Sequence, residues 1–126
     1  MDDSLYNYKA DLVRVVDGDT IVVKLHLGLG VVFEKFKIRL ARINTPEMRE
    51  AGGPEAKEFF QKFLKDHSRM IVVTLKDKKD KYGRYLCEVF VAAGEEWINM
   101  SDKLVEKGLA AMYKSGVEEQ LNEFIY

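Results

Sequence analysis

Two aspartates flank one glycine in "VVDGDT", Val15 to Thr20, between two runs of β-branched residues. A hairpin turn at Asp17-Gly18 accounts for the first carboxylate, because Asp-Gly between alternating apolar strands is a strong hairpin signal. It does not account for Asp19, which sits just past that turn. In "RINTPE", Asn44-Thr45-Pro46 ends a strand and opens a loop, since proline holds its predecessor extended, and Glu47 follows. Upstream, Arg39 lies inside the apolar run "KIRLARI", while Arg42 has opposite parity and should face the other way. An arginine on an inward face is unusual unless an anion meets it. In "DKYGR", Asp80 to Arg84, a Tyr82-Gly83 turn carries Lys81 and Arg84, preceded by Lys76, Lys78 and Lys79. Tyr113 ends "GLAAMY" after a helical stretch.

Each cluster has a structural account when taken singly: turn, loop, solvated charge run, packing anchor. Together they fit one chemistry. Cleaving a phosphodiester requires its charge to be neutralised while water attacks phosphorus. Carboxylate and carbonyl oxygens suit a hard cation, which polarises a phosphoryl oxygen. Two guanidiniums can hold the remaining oxygens and the extra charge of the transition state. A carboxylate off the cation can take the proton from water.

Composition sets bounds on this reading. The chain has 126 residues, 47% hydrophobic and 33% charged, which suits one folded domain over residues 1–126. With net charge −1, attraction for polyanions must come from local positive charge. Cys87 is the only cysteine, so no internal disulfide or cysteine-based zinc site forms, and in "RYLCEVFV" it reads as core filler. His26 and His67 lack metal-site spacing and read as surface or packing residues. No apolar run approaches the roughly 20 residues needed to span a bilayer. The polar start "MDDSLYNYKA" is no signal peptide, so the expected compartment is the cytoplasm, or the exterior if a leader was removed.

The elements that must position these residues follow from periodicity. Three antiparallel strands run from "ADLVRVV" through "TIVVKLHL" to "VVFEKFKIRLARI", joined at Asp17-Gly18 and at Gly28 to Gly30. "PEAKEFFQKFLKDH" switches to helical spacing, with Pro54 in its first turn. "MIVVTL" and "RYLCEVFV" are two further strands. After Gly94 the pattern is helical, with Asn99 capping "MSDKLVEKGLAA" and Val117, Leu121 and Ile125 marking a last short helix. Five strands in this order fit a mainly β, α+β fold: an OB-type Greek-key barrel with about three packed helices. The pattern alone also admits another small α+β fold.

The motifs "VVDGDT", "IRLARINTPE", "GPEA", "DKYGR" and "LVEKGLA" occur in the order and at nearly the spacing of one family. From about Leu12 to Tyr113 the chain resembles the staphylococcal nuclease (thermonuclease-like) family. The resemblance implies an OB barrel with three helices and Ca²⁺-dependent hydrolysis of DNA or RNA that leaves a 3′ phosphate. It implies that Asp19 is a metal carboxylate and that the Thr45 carbonyl also faces the metal. It further makes Glu47 the general base and Arg39 and Arg84 the phosphate-binding arginines. Lys81, Tyr82 and Tyr113 would line the nucleotide pocket, and Asp17 would support the turn. One position departs: Asn44 stands where the family usually has aspartate. Its carbonyl can still face the metal, but the site loses a formal charge, so Ca²⁺ should bind more weakly and Mg²⁺ or Mn²⁺ could serve.

The rival reading is a catalytically weakened OB module that binds single-stranded nucleic acid through a basic groove and aromatic stacking. Asn44 favours it. The joint presence of Asp19, Arg39, Glu47 and Arg84 opposes it, because carboxylates repel phosphate unless a cation intervenes. A purely structural or protein-binding domain leaves Arg39 unexplained. A monomer acting on DNA or RNA, without a membrane, is the expectation, with Arg42 catalytically dispensable.

Overall fold

A computed structural model describes residues 6–67, 69–75 and 80–112. Strands β1 (Asn7–Asp17), β2 (Thr20–Gly28) and β3 (Val31–Leu40) form an antiparallel meander. Their apolar residues alternate as a half-buried strand requires: Ile21, Val23 and Leu25 on β2, and Phe36, Ile38 and Leu40 on β3, point into one core. The short β4 (Ile43–Asn44) follows, then helix α1 (Gly53–Asp66), β5 (Met70–Thr74) and β6 (Tyr85–Ala93). β5 pairs antiparallel with both β1 and β6, and β6 returns parallel to β3. That parallel seam, Ile38 to Tyr85 through Leu40 to Cys87, closes the five-stranded OB-type barrel.

Helix α1 is amphipathic because Ala56, Phe60 and Leu64 recur every four residues and are buried against the barrel. Removing the Phe60 ring should cost about 3–5 kcal/mol. Proline sits in its first turn, where the missing amide hydrogen is not needed. His67 ends it in an extended conformation, its ring stacked on Phe63 at 4.4 Å. His26 pairs with Asp11 at 2.7 Å on the surface. Both histidines thus have structural partners.

Beyond Gly94 the fold departs from the helical reading. Residues Glu96–Asn99 form strand β7, which extends the sheet from β6. Helix α2 (Met100–Glu106) is shorter than expected, and Ala111–Met112 form β8, paired with β4. The Asn99 side chain caps α2 by accepting from the Asp102 amide at 3.1 Å. Gly108, at φ 73°, ends it, with the Gly108 and Leu109 amides bonded to the carbonyls of Val105 and Leu104. The expected helix around Val117, Leu121 and Ile125 lies outside the described residues.

Arg42 is not the idle residue that its parity suggested. It adopts φ 71° between β3 and β4 and forks onto Glu88, with Nε donating to Oε2 at 2.6 Å and Nη2 to Oε1 at 3.1 Å. Nη1 reaches Asp102 at 2.9 Å and Nη2 reaches Asn99 at 3.2 Å. These carboxylates hold the Arg42 guanidinium well above its usual pKa. Arg42 therefore ties the β3–β4 turn to β6 and α2, and alanine there would test stability.

Candidate active site

The turn between β1 and β2 centres on Gly18 and Asp19, one residue later than the Asp-Gly signal implies. Gly18 is there for close approach. A Cβ on it would lie 2.8 Å from the Ala56 Cβ and 2.8 Å from the Thr45 hydroxyl oxygen. The turn is thereby pressed against α1 and the Thr45 loop. Asp17 braces it, accepting the Asp19 amide at 3.1 Å. Asp19 is consequently buried in the turn, facing β3 and the Thr45 loop.

The Asp19 carboxylate gathers neighbours from three elements. Oδ1 accepts from the Thr20 hydroxyl at 3.1 Å, and Oδ2 accepts from the Thr45 amide at 3.2 Å. Arg39 Nη2 stands 3.6 Å from Oδ2. Burial raises the Asp19 pKa, but the Arg39 charge and these hydrogen bonds outweigh it and hold the carboxyl below its ordinary value. Asp17 moves the other way: burial raises it, and the adjoining Asp19 carboxyl adds to the rise. Of the pair, Asp19 is the one that keeps its charge.

Arg39 projects from β3 on the side opposite the core residues Ile38 and Leu40, yet it is buried. Its Nη1 donates to the Leu40 carbonyl and its Nη2 to Asn44 Oδ1, both at 2.7 Å. The anion that its burial demands is Asp19. The oxygens of Asp19 and Asn44 thus turn toward one guanidinium nitrogen. Carboxylate and amide oxygens converging on a positive group are a donor set that suits a hard cation. Asn44 itself is on the exposed β4 and adds no negative charge. Among the described residues, no three His, Cys, Asp or Glu side chains cluster to hold a metal by themselves.

Arg84 is fixed by a residue that sequence reasoning passed over. Asp80, with a side chain only 1% exposed, accepts from the amides of Tyr82 and Arg84 and from Arg84 Nε at 2.9 Å. Arg84 Nη2 lies 2.8 Å from the same carboxylate, and Nη1 reaches the Thr20 hydroxyl at 3.5 Å. Thr20, also buried and also missed, therefore links Asp19 to Arg84. The four-residue spacing around a Tyr-Gly turn was the available signal for Asp80. Nothing local signals the part played by Thr20.

Tyr82 is exposed, with the Arg84 guanidinium 4.9 Å and the Lys81 ammonium 5.2 Å from its ring centre. These contacts attach Lys81 and Tyr82 to the Arg84 side of the site. Glu47 is not drawn in. Its carboxylate accepts from Arg49 Nε at 2.9 Å, and both side chains are exposed. The Glu47 backbone is nonetheless confined: its carbonyl accepts the Glu50 amide at 2.8 Å and would collide with any Cβ at Gly53. Tyr113 lies outside the described residues.

A profile of the family described as Staphylococcal nuclease homologue matches residues 37–125. That span contains Arg39, Glu47 and Arg84, while Asp19 precedes it. An uncharacterised protein of Methanocaldococcus jannaschii is 32% identical, over 92% of this chain and 64% of that protein. The micrococcal nuclease of Shigella flexneri is 27% identical, over 86% of this chain and 60% of that enzyme. The endonuclease YhcR of Bacillus subtilis is 29% identical, over 84% of this chain and 9% of that protein. The chain spans less than two thirds of the length of each of these relatives. With the barrel, the two buried arginines and this match over most of its length, the chain belongs to the staphylococcal nuclease homologue family.

Proposed function

We propose that this chain is a single-domain, cation-dependent nuclease that hydrolyses phosphodiester bonds of DNA or RNA and leaves 3′ phosphates. The observation that carries the reading is the pair of guanidiniums, Arg39 and Arg84, brought to the two ends of the Asp19–Thr20 step. Arg39 and Arg84 bind the non-bridging oxygens of the scissile phosphate and stabilise the charge that grows as water attacks. Asp19 and the carbonyls of Asn44 and Thr45 would hold a hard cation, Ca²⁺ or else Mg²⁺ or Mn²⁺, which when bound supplies Lewis-acid polarisation of a phosphoryl oxygen. Glu47 takes the proton from the attacking water. Its exposed pairing with Arg49 is worth little, so the carboxylate can leave that partner at small cost. Lys81, Tyr82 and Tyr113 contact the flanking nucleotide. The 5′ oxygen departs and takes up a proton.

The test is incubation of the purified protein with single-stranded DNA across Ca²⁺, Mg²⁺, Mn²⁺ and excess chelator. Cleavage should need a divalent cation, and Asp19→Ala should abolish it while the fold survives. Undiminished cleavage in chelator would end the cation hypothesis. Binding without cleavage under every cation would instead support the non-catalytic module, which the engagement of Asn44 by Arg39 and of Glu47 by Arg49 favours.

A further inference from the structure

The open end of the barrel carries a groove that the proposed chemistry does not use, lined by Tyr8, Leu25, Leu27, Phe33, Phe36 and Tyr85 together with Thr74. Tyr85 follows Arg84 directly and pairs with Ile38 one residue before Arg39, so the groove begins beside the site. Resting on the nuclease reading, we infer that it is an accessory stacking site for unpaired bases of the same single-stranded substrate, beyond the nucleotides flanking the scissile phosphate.

The backbone is shaped to make this surface. Phe33 and Phe36 are three residues apart and would face opposite ways on a regular strand. The register of β3 against β2 shifts between Phe36, opposite Val23, and Phe33, opposite Leu25. That bulge turns Phe33 to the side of Phe36, where their rings meet edge to face at 5.1 Å. Phe36 in turn stacks on Tyr85 at 4.6 Å. Phe33 stays 41% exposed, and the apolar surface continues through Leu27 and Val31 to a fully exposed Leu29 at the hairpin tip. A contiguous strip of this kind gains nothing for the fold and marks a contact surface.

Charge complementarity names the partner. Lys35 and Lys37 flank Phe36, and Lys9 follows Tyr8. None of these three has a carboxylate within salt-bridge distance among the described residues, whereas Lys24 nearby pairs with Glu34 at 3.6 Å. Aromatic rings interleaved with unpaired lysines match a single strand, whose bases stack while its phosphates meet the cations. Along β3, Phe36 and Phe33 stand about 10 and 20 Å from Arg39 at the usual strand rise. Even a stacked strand, at about 3.4 Å per nucleotide, needs roughly three to six nucleotides to cover that distance. A dinucleotide does not reach; a longer strand does.

The experiment measures the affinity of the chelated full chain for a labelled dinucleotide and for a labelled strand of about twelve nucleotides, by fluorescence anisotropy. Phe33→Ala and Phe33→Leu should both weaken the longer strand about tenfold, within the range for losing one stacked base, and leave dinucleotide affinity where it was. Phe33→Trp should restore it. Because Phe33 is at the surface, melting temperatures should barely move. Equal losses at both lengths, full affinity in Phe33→Leu, or a wild-type dimer that Phe33→Ala dissolves would each overturn the inference. If the wild type cleaves nothing yet shows the length-dependent loss, the hydrolase reading falls and this site stands. If it cleaves and Phe33→Ala is silent at both lengths, this site falls alone.

Discussion

Arg84 and Glu47 are held in opposite ways. Arg84 is bonded through Nε and Nη2 to a carboxylate that solvent hardly reaches, and that carboxylate also takes two backbone amides of the same turn. Glu47 is 64% exposed and bonded only to Arg49, two residues along its own loop. The phosphate side of the site is therefore set by folding, at the cost of burying charge. The base side has a fixed backbone and an adjustable side chain. Transition-state charge is best met by groups that do not reorganise, whereas a base must first accept and then release a proton. The difference predicts which substitutions damage chemistry alone and which damage chemistry and fold together.

Glu47→Gln should have the largest catalytic effect with no structural effect, lowering kcat by about 10²–10⁴-fold. The deficit should shrink as pH rises and hydroxide replaces the base. Rates equal to wild type at every pH would make Glu47 a loop residue and erase the contrast. Arg84→Ala should lower kcat by about a hundredfold and also destabilise the fold by roughly 3 kcal/mol, because Asp80 is left buried without its cation. Adding Asp80→Asn to Arg84→Ala should recover melting temperature without recovering activity. If activity returned as well, the loss was one of folding rather than of charge stabilisation.

Asn44→Asp sharpens the comparison by placing a charge where the two sides meet. With a second carboxylate beside Asp19, the Ca²⁺ concentration for half-maximal cleavage should fall by about tenfold. Arg39, already bonded to position 44, should absorb most of the added repulsion when no cation is bound. Calorimetry showing no tighter cation binding would mean that position 44 serves Arg39 alone. The smallest effect is expected from Asp17→Asn. The folded protein binds the Asp17 proton more tightly than the unfolded chain, so the stability it contributes is lost as pH rises above the ordinary value of 3.8 through the raised one. Above that window the charged residue is a burden, and the asparagine variant should melt about 3 °C higher at neutral pH. Near pH 3 the two should coincide. A constant difference at all pH values would assign the effect to turn geometry.

The strands β1 to β3 and helix α1 were legible because period-two and period-four apolar patterns are local. Arg39 stood out because an arginine in an apolar strand violates that pattern. The strand Glu96–Asn99 was missed for lack of length: four residues carry almost no periodicity. The early end of α2 was written at Gly108, but "GLAAMY" keeps helical composition on both sides of it. The roles of Thr20 and Asp80 depend on partners brought close by folding or by a tight turn, so composition presents them as ordinary polar residues. Gly18 illustrates the same limit. Its turn signal was read for backbone freedom, whereas its necessity comes from Ala56 and Thr45 pressing on it across the fold.

The parallel seam gives the molecule an internal clock. Cys87, the only cysteine, lies on β6 with Leu40 as its partner on one side and Thr74 on the other. Its thiol is buried, and burial together with Glu88 pushes its pKa well above that of a free thiol. An alkylating reagent can meet a reactive thiolate only when β6 parts from one of its neighbours. The labelling half-life of the native protein thus times how often the barrel unzips, with no other thiol to blur the count. Because Arg39 and Leu40 share that seam, any ligand that clamps Arg39 should slow the clock.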